Sequence, residues 1–411
     1  MQHWQWQDGA CWQACSAAAR KQADAWVAQA DAAYDGLRKL AARQPLTEIA
    51  NDAAAMDAIS KQVTRLKQQG NRLVVIGSGG ASLGGQALCM LAEDPSRVKF
   101  LENCDPVTLA SFLRMPKDET AWCIISKSGE TVETIAAALS LLAHYEGAED
   151  ALRARLVVVT TLQDSTLMRL AKAQQWEVLP HPPALGGRFS VFSIVGLLPA
   201  LFAGLDAAGI ARAGNEMLQH GLQQKDASLL PHAVWLAANL KEKPMQLLMA
   251  YADRLRPATQ WFKQLWAESL GKDGRGGTPV TAIGSIDQHS QLQLYLDGPH
   301  DKLLTLWLPT QPDVTRQMQA SQLKGAEFLQ GRSMGDVMRA TAEATATTLA
   351  ESGVPLRVLR GALTPESLAS WMARQMLETL LVAHFIGVDP YSQPAVEAGK
   401  KLTRAALAGA A

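Results

Sequence analysis

From about residue 70 onward, short runs rich in Val, Ile and Leu alternate with segments whose apolar residues recur every three or four positions. The runs are "RLVVIG" (72–77), "VKFLEN" (98–103), "WCIISK" (122–127), "RLVVVTT" (155–161) and "WEVLP" (176–180). Strands apolar on both faces, each followed by a helical pattern, predict right-handed βαβ units and a parallel sheet covered on both sides. Residues 191–242 read as mostly helical. The alternation then returns at "PMQLLMAY" (244–251), "PVTAIGS" (279–285), "KLLTLWLP" (302–309) and "PLRVLRG" (355–361). A long amphipathic helix over 365–386 and a short basic helix complete the pattern. Residues 11–45, rich in Ala, Gln, Lys and Asp with spaced apolar positions, predict helices lying on a surface.

The predicted fold class is therefore α/β: two three-layer α/β/α subdomains with parallel sheets, plus N-terminal and C-terminal helices. The expected boundaries are an N-terminal helical segment over 1–50, a first, phosphate-binding α/β domain over 51–213, and a second over 214–411 that includes the C-terminal helices. Open parallel sheets bind ligands at the carboxyl ends of their strands, so chemistry is sought in the loops there.

Composition narrows the function. The chain has 411 residues and a formal net charge of +0, with no basic run, which argues against charge-driven binding to nucleic acid or a membrane surface. Its longest apolar stretch, "VFSIVGLLPALFAGL" (191–205), is interrupted by Gly196, Pro199 and Gly204 and is too short to span a bilayer. The start, "MQHWQWQDGACWQAC", has neither a basic n-region nor an apolar h-region. Five cysteines (11, 15, 89, 104 and 123) are an odd number with no C-x-x-C, so no disulfide framework is indicated and a cytoplasmic setting is expected. The histidines at 3, 144, 181, 220, 232, 300 and 384 show no metal spacing, and no metal is predicted.

Two loops have the texture of an anion site. In "VVIGSGGASLGGQAL" (74–88) a strand runs through Gly77, Gly79, Gly80, Gly84 and Gly85 into a helix. Dinucleotide spacing fails because Ser82 stands where the third glycine is needed, and the G-x-x-x-x-G-K-[ST] pattern is absent. Close helix–sheet packing competes with ligand contact as the explanation. In "ISKSGETVET" (125–134), Ser126 and Lys127 end a buried strand, Ser128 is expected to cap the following helix, Gly129 gives room, and Thr131 and Thr134 lie in the first turns. One cap explains one serine; three further hydroxyls and a lysine point to phosphate.

The region 251–300 is the densest in polar chemistry. On a helix through "TQWFKQLWAESLGK", Trp261, Leu265 and Glu268 share a face, with Gln264 beside Glu268. A carboxylate on an apolar stripe is rarely idle, and burial would raise its pKa toward that of a base acting near neutral pH. A buried salt bridge with Lys263 or Arg275 is the competing reading. His289, in "DQHSQ", follows a strand end, and Arg188, in "LGGRFS", brings a fixed fork of positive charge suited to an oxyanion or a phosphate. In "DPYSQPAVEAGKK", Gln393 and Lys400 lie two turns apart along one side of a helix starting near Pro394.

Taken in order, the glycine loop, "SKSGETVET", "GGRFS", "WAESLGK", "DQHSQLQLYLDGP" and "QPAVEAGK" make the chain, from about residue 70 to 405, resemble the glucose-6-phosphate isomerase family, built from two sugar-isomerase (SIS) domains. The resemblance implies that Ser126, Lys127, Ser128 and Thr131, with Gly79, Gly80 and Ser82 of the glycine loop, receive a sugar phosphate. It implies that Glu268 carries a proton between C2 and C1, and that Arg188 stabilises the cis-enediol(ate). His289 and Lys400 would assist ring opening, with Gln264 and Gln393 holding substrate. It also implies a homodimer in which His289 reaches the site from the neighbouring subunit, and no cofactor. Two positions depart from the family pattern: Ala81 and Ser82 replace a serine followed by a polar residue, and Asp287 replaces a glycine. Two other readings stay open, a related SIS isomerase acting on mannose 6-phosphate or on both sugars, and a non-catalytic sugar-phosphate-binding regulator. A dehydrogenase is disfavoured by the failed dinucleotide spacing.

Overall fold

Leu73, Val74, Val75 and Ile76 lose essentially all solvent contact, because their strand, Arg72–Ile76, lies within a parallel sheet. The computed structural model describes residues 4–7, 15–310, 314–320 and 322–409. By its internal contacts the chain divides into two units, one comprising Leu37–Leu222 with Asp389–Ala411, the other Met1–Gly36 with Gln223–Val388.

In the first unit the strand order is Val98–Leu101, Arg72–Ile76, Thr120–Ile125, Leu156–Thr160, Glu177–Pro180, with every neighbouring pair parallel. All five strands are runs that the apolar pattern predicts. Ile76 is in register with Ile124, and Ile125 with Val159. The loops after Ile76, Ile125 and Thr160 therefore emerge along one edge of the sheet, which sets the glycine loop beside the hydroxyl-rich one. The sheet's core combines Val74, Ile124 and Val158 with Trp122, Leu141 and Leu167.

In the second unit the order is Trp4–Gln7, Leu356–Ala362, Lys302–Thr310, Met245–Ala250, Thr278–Ile283. All pairs are parallel except the first. Trp4–Gln7 is a strand where the 1–50 segment was expected to be helical throughout. The alternation Trp-Gln-Trp-Gln carried that signal, with Trp4 buried and Gln5 exposed. The pairing of Trp4–Gln7 with Leu356–Ala362 joins the two ends of this unit in sequence. The units are accordingly not contiguous stretches, whereas the expected division had contiguous segments bounded at 50/51 and 213/214.

The helix Pro365–Ile386 has the predicted bounds. Thr364 and Ser367 form a reciprocal capping box at its start, and Gly387 ends it in the left-handed region at φ +68°. It is not amphipathic as expected: every residue from Ser367 to Ala383 is buried. The helices Leu229–Asn239 and Arg256–Leu270 pack against it. Its polar side chains must therefore find partners inside the protein. Arg374 donates through Nε to Asp226 at 2.9 Å and through Nη1 to Glu378 at 3.3 Å, and Arg357 donates to the other Glu378 oxygen. The Trp6 ring lies 4.7 Å from the Arg357 guanidinium and 4.6 Å from that of Arg374. This network anchors the N-terminal strand by cation–π contact.

Cys15, Cys89, Cys104 and Cys123 take part in no disulfide; Cys11 lies outside the described residues. Among the described residues no helix is long and apolar enough to cross a membrane, and no cluster of three or more His, Cys, Asp or Glu side chains could hold a metal ion.

Candidate active site

The hydroxyl-rich loop of the first unit continues the sheet and then turns sharply. Ser126 N–H donates to Val159 O at 3.0 Å, and Lys127 O accepts from Thr161 N–H at 3.2 Å. Gly129, at φ +64°, makes the turn. Ser126 Oγ donates to Thr131 Oγ1 at 3.2 Å, gathering two hydroxyls. The helix begins at Val132, with Thr131 rather than Ser128 at the cap position. Ser128 Oγ instead accepts from Glu130 N–H at 3.2 Å, within the turn. Thr131 makes no capping hydrogen bond through its side chain. The positive end of Val132–His144 thus remains available to an anion.

Two cations flank this loop. Lys127 is half-buried and Arg188 is buried. Burial, and then the Arg188 charge, push the Lys127 ammonium below its ordinary pKa. An anion at the loop would favour the charged ammonium and offset both effects. His181 adds to the picture: it is buried, its Nδ1 lies 2.9 Å from Pro182 O, and burial together with the Lys127 charge lowers it to about 4. It is therefore a neutral imidazole at neutral pH.

A Cβ on Gly129 would stand 2.1 Å from Ser165 Oγ, in a backbone conformation that L side chains rarely adopt. Gly129→Ala is expected to distort the loop. Binding of inorganic phosphate, the simplest probe of an anion site, should weaken by at least about tenfold, the effect of losing roughly 1.4 kcal/mol of binding. Calorimetric titration of the purified variant checks this.

The glycine loop shows what its glycines are for. A Cβ on Gly80 would come within 2.3 Å of the Gly187 carbonyl carbon, so the loop lies directly on the backbone that carries Arg188. Ser190 Oγ donates to Gly187 O at 2.7 Å and to Gly80 O at 3.2 Å, tying the two segments together. Gly79 holds the turn at φ +57°. Ser82, expected at the phosphate, is fully buried and accepts from Gln86 Nε2 at 2.7 Å. That hydrogen bond within the helix start gives Ser82 a packing role.

The C-terminal segment of this unit is anchored near Arg188. Arg188 Nη2 donates to Pro390 O, Tyr391 O–H donates to Leu40 O at 2.7 Å, and Arg43 pairs with Asp389 at 2.9 Å. Gln393 precedes the short 3-10 turn Pro394–Val396, and Lys400 lies on the helix Glu397–Leu407. Lys400 is exposed and donates to Glu397 at 2.7 Å.

In the second unit, Gln264 and Glu268 lie one turn apart on Arg256–Leu270, and Gln264 Nε2 donates to Glu268 Oε1 at 2.9 Å. Trp261 and Leu265 are buried, but Glu268 and Gln264 are half-buried at the edge of that stripe. The full burial expected of Glu268 is not found. Arg275, one suggested partner, donates to Ile386 O at 2.6 Å. His289 sits at the start of Gln288–Asp297 and is exposed. Asp287, the departure noted in the sequence, accepts from Ile283 N–H at 2.6 Å and from Gln291 Nε2 at 3.0 Å, pinning the backbone before His289.

A family model described as phosphoglucose isomerase matches residues 46–289. The glucose-6-phosphate isomerase of Rubrobacter xylanophilus is 37% identical over 375 residues, 86% of each chain. The chain belongs to the phosphoglucose isomerase family. It is an enzyme of that family, and a glucose-6-phosphate isomerase of Thermus thermophilus is a further relative, 35% identical over 82% of this chain and 83% of its own. Among solved structures, a hypothetical protein from Thermus thermophilus superposes with TM-score 0.85 at 30% identity, covering 94% of this chain and 97% of that one. A glucose-6-phosphate isomerase from Chlamydia trachomatis shares the fold, with TM-score 0.73 at 22% identity over 87% of this chain and 75% of that one.

The sequence does not single out His181 or Glu130, which the structure sets at the hydroxyl-rich loop. His181 lacks metal spacing, although its position just after "WEVLP" places it at a strand's carboxyl end. Glu130 stands inside the hydroxyl-rich motif, but nothing in its local pattern names its partners.

Proposed function

We propose that the protein interconverts glucose 6-phosphate and fructose 6-phosphate, with the sugar's phosphate bound at residues 126–131. The observation that carries this reading is the loop itself, in a chain of this family. Clustered hydroxyls and a half-buried lysine stand at a helix start, beside a buried arginine.

In this reading Ser126, Ser128 and Thr131 donate hydroxyl hydrogen bonds to the phosphate and Lys127 neutralises it. Gripping a group remote from the reacting carbons lets binding energy position C1 and C2. Lys400 and His289 assist opening of the sugar ring, His289 coming from the second subunit of a homodimer. Its exposure, and that of Leu402 and Leu407 on the C-terminal helix, support that assignment. Glu268 then removes the C2 proton and returns it to C1. Gln264 orients the Glu268 carboxylate, and Gln393 holds substrate hydroxyls. Charge builds on oxygen as the enediolate forms, and Arg188 offsets it. The exchange moves one proton from C2 to C1 while the C2 hydroxyl gives up its proton and the C1 oxygen gains one, which calls for a base, a charge stabiliser and shielding from water.

The test is a coupled assay of fructose 6-phosphate conversion with EDTA present and mannose 6-phosphate as a parallel substrate. Turnover of fructose 6-phosphate in EDTA is expected. Absence of turnover on either sugar, or a strict metal requirement, would overturn the reading.

A further inference from the structure

Glu130 belongs to the phosphate loop, yet its carboxylate is engaged by other segments. One oxygen accepts from Thr166 N–H at 2.7 Å, and both accept from Thr166 O–H at 3.1 and 3.2 Å. Arg404 Nη2 donates to the Glu130 carboxylate at 2.9 Å and to its backbone carbonyl at 2.7 Å. Arg404 therefore holds residue 130 by both side chain and main chain. The Thr166 N–H is the largest influence holding the Glu130 carboxyl below its ordinary pKa, and Arg404 adds to it. The carboxylate stays charged across the neutral range.

Arg404 lies four residues after Lys400 on Glu397–Leu407, so the two share a face of the helix. No residue of that helix is buried. Within the single chain, packing therefore does little to fix its position, and a hydrogen-bonded tie has correspondingly more leverage over where Lys400 points.

We propose that Arg404 and Glu130 are positioning residues, coupling the grip on the sugar's phosphate to the presentation of Lys400. The inference rests on the reading that phosphate binds at 126–131 and that Lys400 assists ring opening. Phosphate on the hydroxyls orders the loop, and the Glu130–Arg404 tie passes that order to the helix carrying Lys400. An ion pair this exposed contributes little to global stability, so a purely structural role predicts nearly unchanged kinetics.

The test compares Arg404→Ala, Arg404→Lys, Glu130→Gln, Lys400→Ala and the Arg404→Ala/Lys400→Ala double variant. It measures kcat and KM on fructose 6-phosphate, calorimetric binding of inorganic phosphate, and melting temperature. Arg404→Ala and Glu130→Gln should each lose about tenfold in kcat/KM, within the range of coupled sites. They should also bind phosphate several-fold more weakly, with little change in melting temperature. Arg404→Lys should recover most of the loss, since it restores the charge. In kcat the double variant should be no worse than Lys400→Ala, because the tie acts on turnover through that lysine, while the weaker phosphate binding of Arg404→Ala persists. Wild-type kinetics in Arg404→Ala, or kcat losses that multiply in the double variant, would overturn the coupling. Wild-type kinetics in Lys400→Ala would instead sink the role given to Lys400 itself, an outcome read from a different variant.

Discussion

Glutamine in place of Glu268 is expected to cut turnover of fructose 6-phosphate by about 10²–10⁴-fold, the contribution a positioned general base makes. Glutamine keeps the size and hydrogen-bonding reach of glutamate but cannot take a proton from carbon. The Gln264 amide, 2.9 Å from Glu268 Oε1, can bond to the new side chain after an amide rotation, so the helix face should stay intact. KM and the melting temperature should therefore hardly move. Solvent deuterium should cease to exchange into C1 of fructose 6-phosphate and into C2 of the glucose 6-phosphate formed. Normal turnover in Glu268→Gln, or exchange undiminished, would remove the residue from the reaction.

The largest stability loss is expected at Glu378. Its carboxylate is fully buried on Pro365–Ile386 and is met by Arg357 and Arg374. Removing one partner of such a group leaves guanidinium charge uncompensated in the interior, so Glu378→Ala should destabilise the fold by about 3–5 kcal/mol. Chemical denaturation monitored by tryptophan fluorescence measures this directly. Trp6 lies against both guanidiniums, and its signal should report the N-terminal strand loosening.

The same network sets an acid limit. Burial pushes the Glu378 carboxyl up, but the Arg357 and Arg374 charges outweigh it and hold it below its ordinary 4.5. Asp226 is likewise held below 3.8, burial being outweighed by Arg374 and by hydrogen bonds from Ser228. Carboxyls depressed in the folded state contribute stability that is fully present above those values and is lost as pH falls through the folded ones. The stability that these two carboxyls contribute should thus begin to fall only below about pH 4.5, and Glu378→Gln should show a shallower fall there than the parent chain.

The parallel strands of both sheets and the bounds of Pro365–Ile386 were legible because they rest on local signals. Apolar runs, a Thr-Pro start and a glycine stop can each be seen within a few residues. So was the hydroxyl-rich loop at 126–131, whose residue types exceed what a turn needs. The burial around Pro365–Ile386 was not legible. Its Arg, Glu, Gln and Thr residues imitate an exposed face, and only their partners at Asp226 and Arg357 show that they lie inside. Ser82 and Ser128 illustrate the same limit within the candidate site. Each is a hydroxyl beside a glycine or close to one, but the oxygen of one accepts from Gln86 and that of the other from Glu130 N–H, partners that the sequence does not name.

By itself, the order of residues determined where the strands run, which loops carry glycine, hydroxyl and cationic groups, and which carboxylate stands on an apolar helix face. Tertiary structure alone decided which of those groups remain available. It recruited Trp4–Gln7 as the outer strand of a sheet whose next member begins at Leu356, and it set Arg404 against Glu130. The physical reason is range. Backbone preference and hydrophobic periodicity act over a few neighbours, whereas burial and hydrogen-bond pairing are settled by side chains hundreds of positions apart, brought together only when the chain packs.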